Sequence, residues 1–201
     1  MKSTNKHGIH SPFVYDFITQ CLNSETNERA YLQFSLFKKE LLTDKTKVLI
    51  KDYGAGSKYF KSNIRPVSDI AKYAGISNYK AQLLINILDF FKPKSILELG
   101  TSVGLSTSLL AQNNQAKIIT IEGCKNTSKI AKKYLNEFGY KNITFITNRF
   151  SKALPQLTIN NNYDLVYFDG NHKKNATLNY FNQCLKAIHN DTIFIFDDIY
   201  L

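Results

Sequence analysis

The chain has 201 residues, 43% hydrophobic and 21% charged, the mix of an ordinary globular protein with room for one α/β domain and a small N-terminal appendage. No apolar run approaches membrane-spanning length, MKSTNKHGIHSPF has no signal-like hydrophobic stretch, and three scattered cysteines (Cys21, Cys124, Cys184) suggest neither a disulfide framework nor a zinc knuckle, so a reducing cytoplasm and no membrane partner are expected. The net charge of +10 raises a nucleic-acid partner, but lysines such as Lys129, Lys132 and Lys133 sit between apolar residues at helical spacing, and solvated helix faces are the favoured reading.

Residues 1 to about 92 read as helices and loops. SPFVYDFITQCL and ERAYLQFSLFKKELL carry apolar residues at helical spacing. VLIKDY is a short strand or an extended segment, and GAGSKYFKSNIRP is a basic loop closed by Pro66. VSDIAKYA and SNYKAQLLINILDFF predict two further helices, the second capped by Ser77 or Asn78 and ended by Pro93. From Ser95 the pattern changes. SILEL, KIITIE, NITFIT, YDLVYFD and TIFIFD are five apolar, β-branched runs. LSTSLLAQ, NTSKIAKKYLNEF, SKALPQL and NATLNYFNQCLKAI are helical segments between them. Strict alternation predicts an α/β fold, a parallel sheet with helices on both faces. Residues 1–75 are then a helical N-terminal extension with a lid loop, and 76–201 the ligand-binding domain. Ligands of such sheets bind beyond the carboxyl ends of the strands.

Two glycine-rich stretches compete for a cofactor. ILELGTSVGLS, residues 96–106, follows a buried strand and opens a helix, so Gly100 and Gly104 can bring backbone N–H groups close to a ligand. The next strand ends in Glu122, 22 positions after Gly100, where a carboxylate can accept from both hydroxyls of a ribose. KDYGAGSK, residues 51–58, is followed by no clean helix and no acid-ended strand. It suits a lid, with Tyr53, Tyr59 and Phe60 to cover a pocket and Lys58, Lys61 and Arg65 to meet an anion, or equally a bland surface loop.

Asp169 ends the fourth run, and Asp197 and Asp198 end the fifth. Three carboxylates on one rim suit Mg²⁺ or Ca²⁺ through oxygen; the alternative is that Asp197 and Asp198 finish the strand and cap a turn. His172 is a candidate general base or a loop histidine packing on a base ring. His7 and His10 read as structural or capping groups.

Residues 76–201 resemble class I S-adenosylmethionine-dependent methyltransferases, and within them the catechol and caffeoyl-CoA O-methyltransferase group. The resemblance rests on ELGTSVGLST, ITIEG, NRFSKALPQL, VYFDGNH, FIFDD and the run Lys80-Ala81-Gln82 at a helix start. The HGIHSPF opening and the YGAGS loop are similar to those of bacterial proteins assigned to the methyltransferases. The resemblance implies a Rossmann-like sheet of order 3-2-1-4-5 and S-adenosylmethionine as cofactor. Glu98, Gly100, Ser102 and Ser106 would line its methionine part, and Glu122 would take the ribose. Phe150 and Ser151 would hold the adenine, and Asp169 would face the sulfonium. Lys173 falls at the place of a catalytic lysine, beside Asp169 and His172. Asp169, Asp197 and Asp198 match the metal-ligand positions, with Asp198 in place of an Asn. The activity implied is O-methylation of a small-molecule acceptor. The family normally adds two more strands, whereas this sequence ends at FDDIYL. Strands six and seven are therefore expected to be missing by C-terminal truncation. TIFIFD would be an open edge, covered by a second copy in a homodimer or by the N-terminal helices. An RNA or protein methyltransferase, a non-catalytic cofactor-binding protein and a nicotinamide-dependent oxidoreductase are the alternatives. The last lacks its GxGxxG spacing here.

Overall fold

The computed structural model describes residues 11–54, 56, 59–113, 115–159 and 161–198. His7, His10 and Lys58, for which the sequence suggests structural, capping and anion-binding roles, lie outside the described residues.

Helix α1 (Pro12–Asp16) runs through a π-helical turn (Phe17–Leu22) towards α2 (Glu28–Thr43). Ser11 and Asn27 cap the two helices with side-chain oxygens that accept from Val14 and Ala30 N–H. Next comes an antiparallel ribbon, β1 (Lys47–Leu49) on β2 (Ile64–Pro66), with Val48 opposite Arg65. VLIKDY thus begins as a strand, and the tail of the basic loop is its partner. Each strand is three residues long, too short for its periodicity to show in the sequence. Helices α3 (Val67–Tyr73) and α4 (Asn78–Phe91) follow. Ser77 is the cap used for α4, accepting from Lys80 N–H at 3.2 Å, and Lys92 closes the helix in a left-handed conformation before Pro93.

The rest alternates as expected: β3 (Ser95–Leu99), α5 (Leu105–Leu110), β4 (Lys117–Glu122), α6 (Lys125–Glu137), β5 (Ile143–Thr147), α7 (Phe150–Leu157), β6 (Leu165–Phe168), α8 (Lys174–Cys184) and β7 (Ile193–Phe196). All neighbouring strands of this sheet are parallel, in the order β5-β4-β3-β6-β7, which is the expected 3-2-1-4-5. Among the described residues β7 pairs with β6 alone. Strand order reverses between β3 and β6, so the ligand crevice of such a sheet lies above their carboxyl ends.

Period-two alternation sends strand residues to two different cores. Ile96, Ile118, Leu165 and Tyr167 pack on one face with Phe34, Phe37 and Leu41 of α2, Ile70 of α3, Leu84 of α4, Leu109 of α5 and Leu135 of α6. Leu97, Leu99, Ile121, Val166 and Phe168 pack on the other with Leu154 of α7 and Cys184 of α8. The N-terminal helices therefore complete one face of the sheet, and the three cysteines are free and buried.

Gly100 ties the two central strands together at their tips. Its φ is +114°, and a Cβ there would lie 2.1 Å from the Asp169 carbonyl oxygen. The loops after β3 and β6 touch because this residue has no side chain. Gly100→Ala combines left-handed strain with a backbone clash, and should destabilise the fold by about 3 kcal/mol or more. For a chain of this size that is a fall in Tm of roughly 6 °C or more, read by circular dichroism.

Candidate functional site

The loop between β3 and α5 is built on a buried carboxylate. Alternation along β3 points Glu98 to the α5 face, where it is wholly buried. It accepts hydrogen bonds from Ser106 Oγ, Thr107 Oγ1 and Thr120 Oγ1, each at 2.6 Å. Burial pushes its carboxyl above the usual range against the pull of these hydroxyls, and the charge of Glu122 adds to the push. Glu98 therefore acts inside the loop, and a ligand in the crevice would meet its effect through Ser106. Ser102 stands at the turn in a left-handed conformation (φ +50°) and donates its N–H to Glu122 Oε2 at 2.8 Å. Cys124 N–H donates to the other oxygen, Glu122 Oε1, at 2.7 Å. The carboxylate at the end of β4 is thus clamped by two backbone amides, one per oxygen, and each oxygen keeps acceptor capacity for a second donor. Burial raises its pKa.

The ends of β6 and β7 carry the acids. Asp169 N–H bonds to Leu99 O, and Asp197 N–H to Phe168 O, so both main chains are fixed by the sheet. Among the described residues no donor meets the Asp169 carboxylate. Burial raises its pKa well above the ordinary value; Asp197, Glu98 and Asp198 add repulsion, and Lys80 offsets part of it. Asp197 and Asp198 do not join Asp169 as a ligand set. Both accept from the ammonium of Lys80, the third residue of α4, with Asp198 Oδ1 at 2.8 Å. Asp197 Oδ1 also accepts from Asp198 N–H at 2.9 Å. Among the described residues no group of three His, Cys, Asp or Glu side chains is arranged for a metal ion. Asp169, Asp197 and Asp198, the expected metal ligands, are not gathered as one group in this arrangement: a lysine holds the two acids of β7. His172 is half-buried and Lys173 exposed, at the start of α8.

The far wall of the crevice comes from the ribbon. The chain leaving β1 is pinned to the start of α6, where Asn126 Nδ2 donates to Leu49 O at 2.7 Å and Lys51 N–H points to Cys124 Sγ at 3.3 Å. It then crosses the strand tips. The Tyr53 ring lies on Gly123, so closely that a Cβ there would come within 2.7 Å of it. One residue on, a Cβ at Gly54 would lie 3.0 Å from Asn171 Cα. Gly123 follows β4 and Asn171 follows β6, so this strap spans the tip of β3 between them. Arg149, at the N-terminus of α7, sets its guanidinium 4.5 Å from the Tyr53 ring centroid. Phe150 packs edge-on against Tyr180 and touches Gly170, while Ser151 is exposed. Further along the loop, Tyr59 and Phe60 pack on Tyr73 of α3, and Arg65 covers Phe60 at 4.5 Å.

Gly100, Ser102, Glu122 and Asp169 thus share one crevice with Tyr53 and Asn171, while Glu98 lies beneath it. Lys80 and Arg149 are the residues whose place the sequence leaves out. Lys80 pairs with acids 117 and 118 positions away, a separation no local pattern encodes.

Comparison with known proteins agrees with this fold. The family described as "Methyltransferase domain" matches residues 97–199. No curated protein sequence matches the chain. Among solved structures, a Klebsiella pneumoniae protein assigned to the O-methyltransferases is 23% identical with a TM-score of 0.57, over 62% of this chain and 57% of its own. The O-methyltransferase TomG from Streptomyces achromogenes, in complex with SAM, is 20% identical with a TM-score of 0.59, over 91% of this chain and 69% of its own. An O-methyltransferase from Bacillus cereus, in complex with SAH, is 16% identical with a TM-score of 0.57, over 92% and 71%. The chain spans 57% of the length of the first of these, and at such identities the likeness shows the fold.

The raised pKa of Asp169 has a stability signature. A carboxyl whose folded pKa lies above its unfolded value favours the fold below the unfolded pKa and loses that contribution as pH rises through the folded one. Asp169→Asn removes the charge at constant shape. The variant should melt at a higher temperature than the parent at pH 8, with the difference shrinking to nothing near pH 4. Calorimetric melts across that range check it.

Proposed function

Because the chain belongs to the methyltransferase-domain family, we propose that it transfers the methyl group of S-adenosylmethionine to an oxygen atom of a small molecule. The observation that carries the reading is the clamped carboxylate of Glu122, set beside the Gly100 turn at the strand-order reversal. A ribose diol offers two donors, and Glu122 offers two oxygens, each oriented by one backbone N–H. The relatives seen with SAM or SAH bound support the same cofactor. Gly100 and Ser102, with Ser106 relaying the position of Glu98, suit the methionine end. Tyr53, Phe150 and Arg149 supply flat apolar and cationic surface for an adenine, with Ser151 beside them. The strap through Tyr53 and Gly54 then closes over the bound cofactor.

The bound cofactor supplies an electrophilic methyl group on a sulfonium. The chain must hold an acceptor hydroxyl in line with it and take its proton. Asp169 is the first candidate for the proton, since a carboxyl lifted above its ordinary pKa is a stronger base. His172 and Lys173 stand three and four residues further on, at the mouth of the same loop. As the acceptor oxygen gains the methyl, its proton passes to the base and the sulfur leaves as a neutral thioether. A small molecule fits this site better than nucleic acid. The chain is basic overall, yet Glu122 and Asp169 face the crevice, Glu98 lies beneath it, and Asp197 and Asp198 outnumber Lys80 at its rim, a field that repels phosphates.

Titration calorimetry with S-adenosylhomocysteine tests the proposal. Glu122→Ala should weaken binding by roughly tenfold or more, about 1.5–3 kcal/mol. Tyr53→Ala should weaken it as well, and Tyr53→Phe should retain affinity. A protein that binds S-adenosylhomocysteine equally well with Glu122 replaced would overturn the placement of the ribose.

A further inference from the structure

The rim of the crevice carries its own cation. Lys80 is held from both ends. Its N–H is tied to the Ser77 cap, and the next turn of α4 buries Ala81, Leu84 and Ile85 in the core. Its ammonium reaches two carboxylates that the sheet has fixed in place, since Asp197 N–H is bonded to Phe168 O. Asp197 is largely buried, with 12% of its side chain exposed, while Lys80 and Asp198 are 41% and 49% exposed. Asp197 Oδ1 is occupied by the ammonium and by Asp198 N–H together. Asp198 takes up a left-handed backbone (φ +52°), a conformation Asp tolerates better than most residues.

A divalent cation at this rim would need those same two carboxylates, within a shell of six to eight oxygens for Ca²⁺ or six for Mg²⁺. The ammonium and the ion would also repel each other at contact distance. Two carboxylates can be neutralised by one or by the other. An ammonium has three N–H donors, and the two acids take two of them, which leaves one for a bound oxygen.

We propose that Lys80 is the built-in counter-cation of this site, standing where a divalent ion would otherwise sit, so that the protein works without Mg²⁺ or Ca²⁺. The inference rests on the reading of the crevice as a methyl-transfer site, but its test does not. Lys80 is a positioning residue: it orients Asp197 and Asp198 and lowers the negative field that Asp169 feels.

Binding of Mn²⁺ alone, followed by the loss of its free-ion electron paramagnetic resonance signal, decides the matter. The wild-type protein and Lys80→Arg should leave the signal unchanged at millimolar ion. Lys80→Met exposes an unpaired acid cluster and should bind Mn²⁺ about tenfold or more tighter than the parent. Lys80→Gln serves if the Met variant does not fold, as judged by its melt. Wild-type protein that binds Mn²⁺ and loses it in Asp197→Asn would overturn the proposal. So would a folded Lys80→Met or Lys80→Gln variant that binds no better than wild type. Calorimetry with S-adenosylhomocysteine on the same samples keeps the two questions apart: absent binding defeats the methyltransferase reading and leaves the ion result standing.

Discussion

The crevice depends on one close approach, that of the Gly100 backbone to the Asp169 carbonyl. Parallel strands β3 and β6 lie side by side, yet their loops run to opposite sides of the sheet. Only a residue without a Cβ lets those loops touch at the point of divergence. Once they touch, other placements follow. The turn at Ser102 faces Glu122, and the loop of Asp169 passes under Phe150. The next loop, from β7, lies within reach of α4.

Charge is arranged around the crevice at a cost to stability. Glu98, Glu122 and Asp169 all have raised pKa values, and desolvation is the leading cause in each. A protein selected only to be stable would carry amides there. The hydroxyls around Glu98 and the amides around Glu122 recover part of the cost as hydrogen bonds. Asp169 receives no such hydrogen bonds among the described residues, and it is the residue we propose takes the proton. Strain of this electrostatic kind is what separates a reactive group from a structural one.

The second half of the chain is legible because its strands are apolar runs, with β3 and β6 buried along almost their whole length, and they alternate strictly with helical segments. SILEL, KIITIE and YDLVYFD declare themselves by β-branched runs, and the acids that end them declare the crevice. In the first half, β1 and β2 are three residues each; VLIKDY reads as a short strand or an extended segment, and the stretch that holds β2 reads as loop. The glycines of KDYGAGSK suggest mobility, but their neighbour Tyr53 packs its ring against Gly123, a contact between positions seventy apart. The carboxylates of FIFDD look like metal ligands because a sequence shows charge at a position and never its partner. Lys80 sits in plain view in SNYKAQLL, and only the fold brings it to Asp197.

The aromatic layer that joins the two halves also sets the order of events in folding. Phe37 of α2 meets Phe138 with ring centroids 5.0 Å apart and Tyr140 at 6.4 Å. A ribosome releases α2 about a hundred residues before those partners exist. Through that interval Phe37 lacks those two partners, and only the nearby helices α3 and α4 can cover part of the apolar face of Phe34, Phe37 and Leu41. The segment made first therefore completes its packing only after residue 140 has been made, and until then its apolar face is partly open to aggregation and to capture by chaperones.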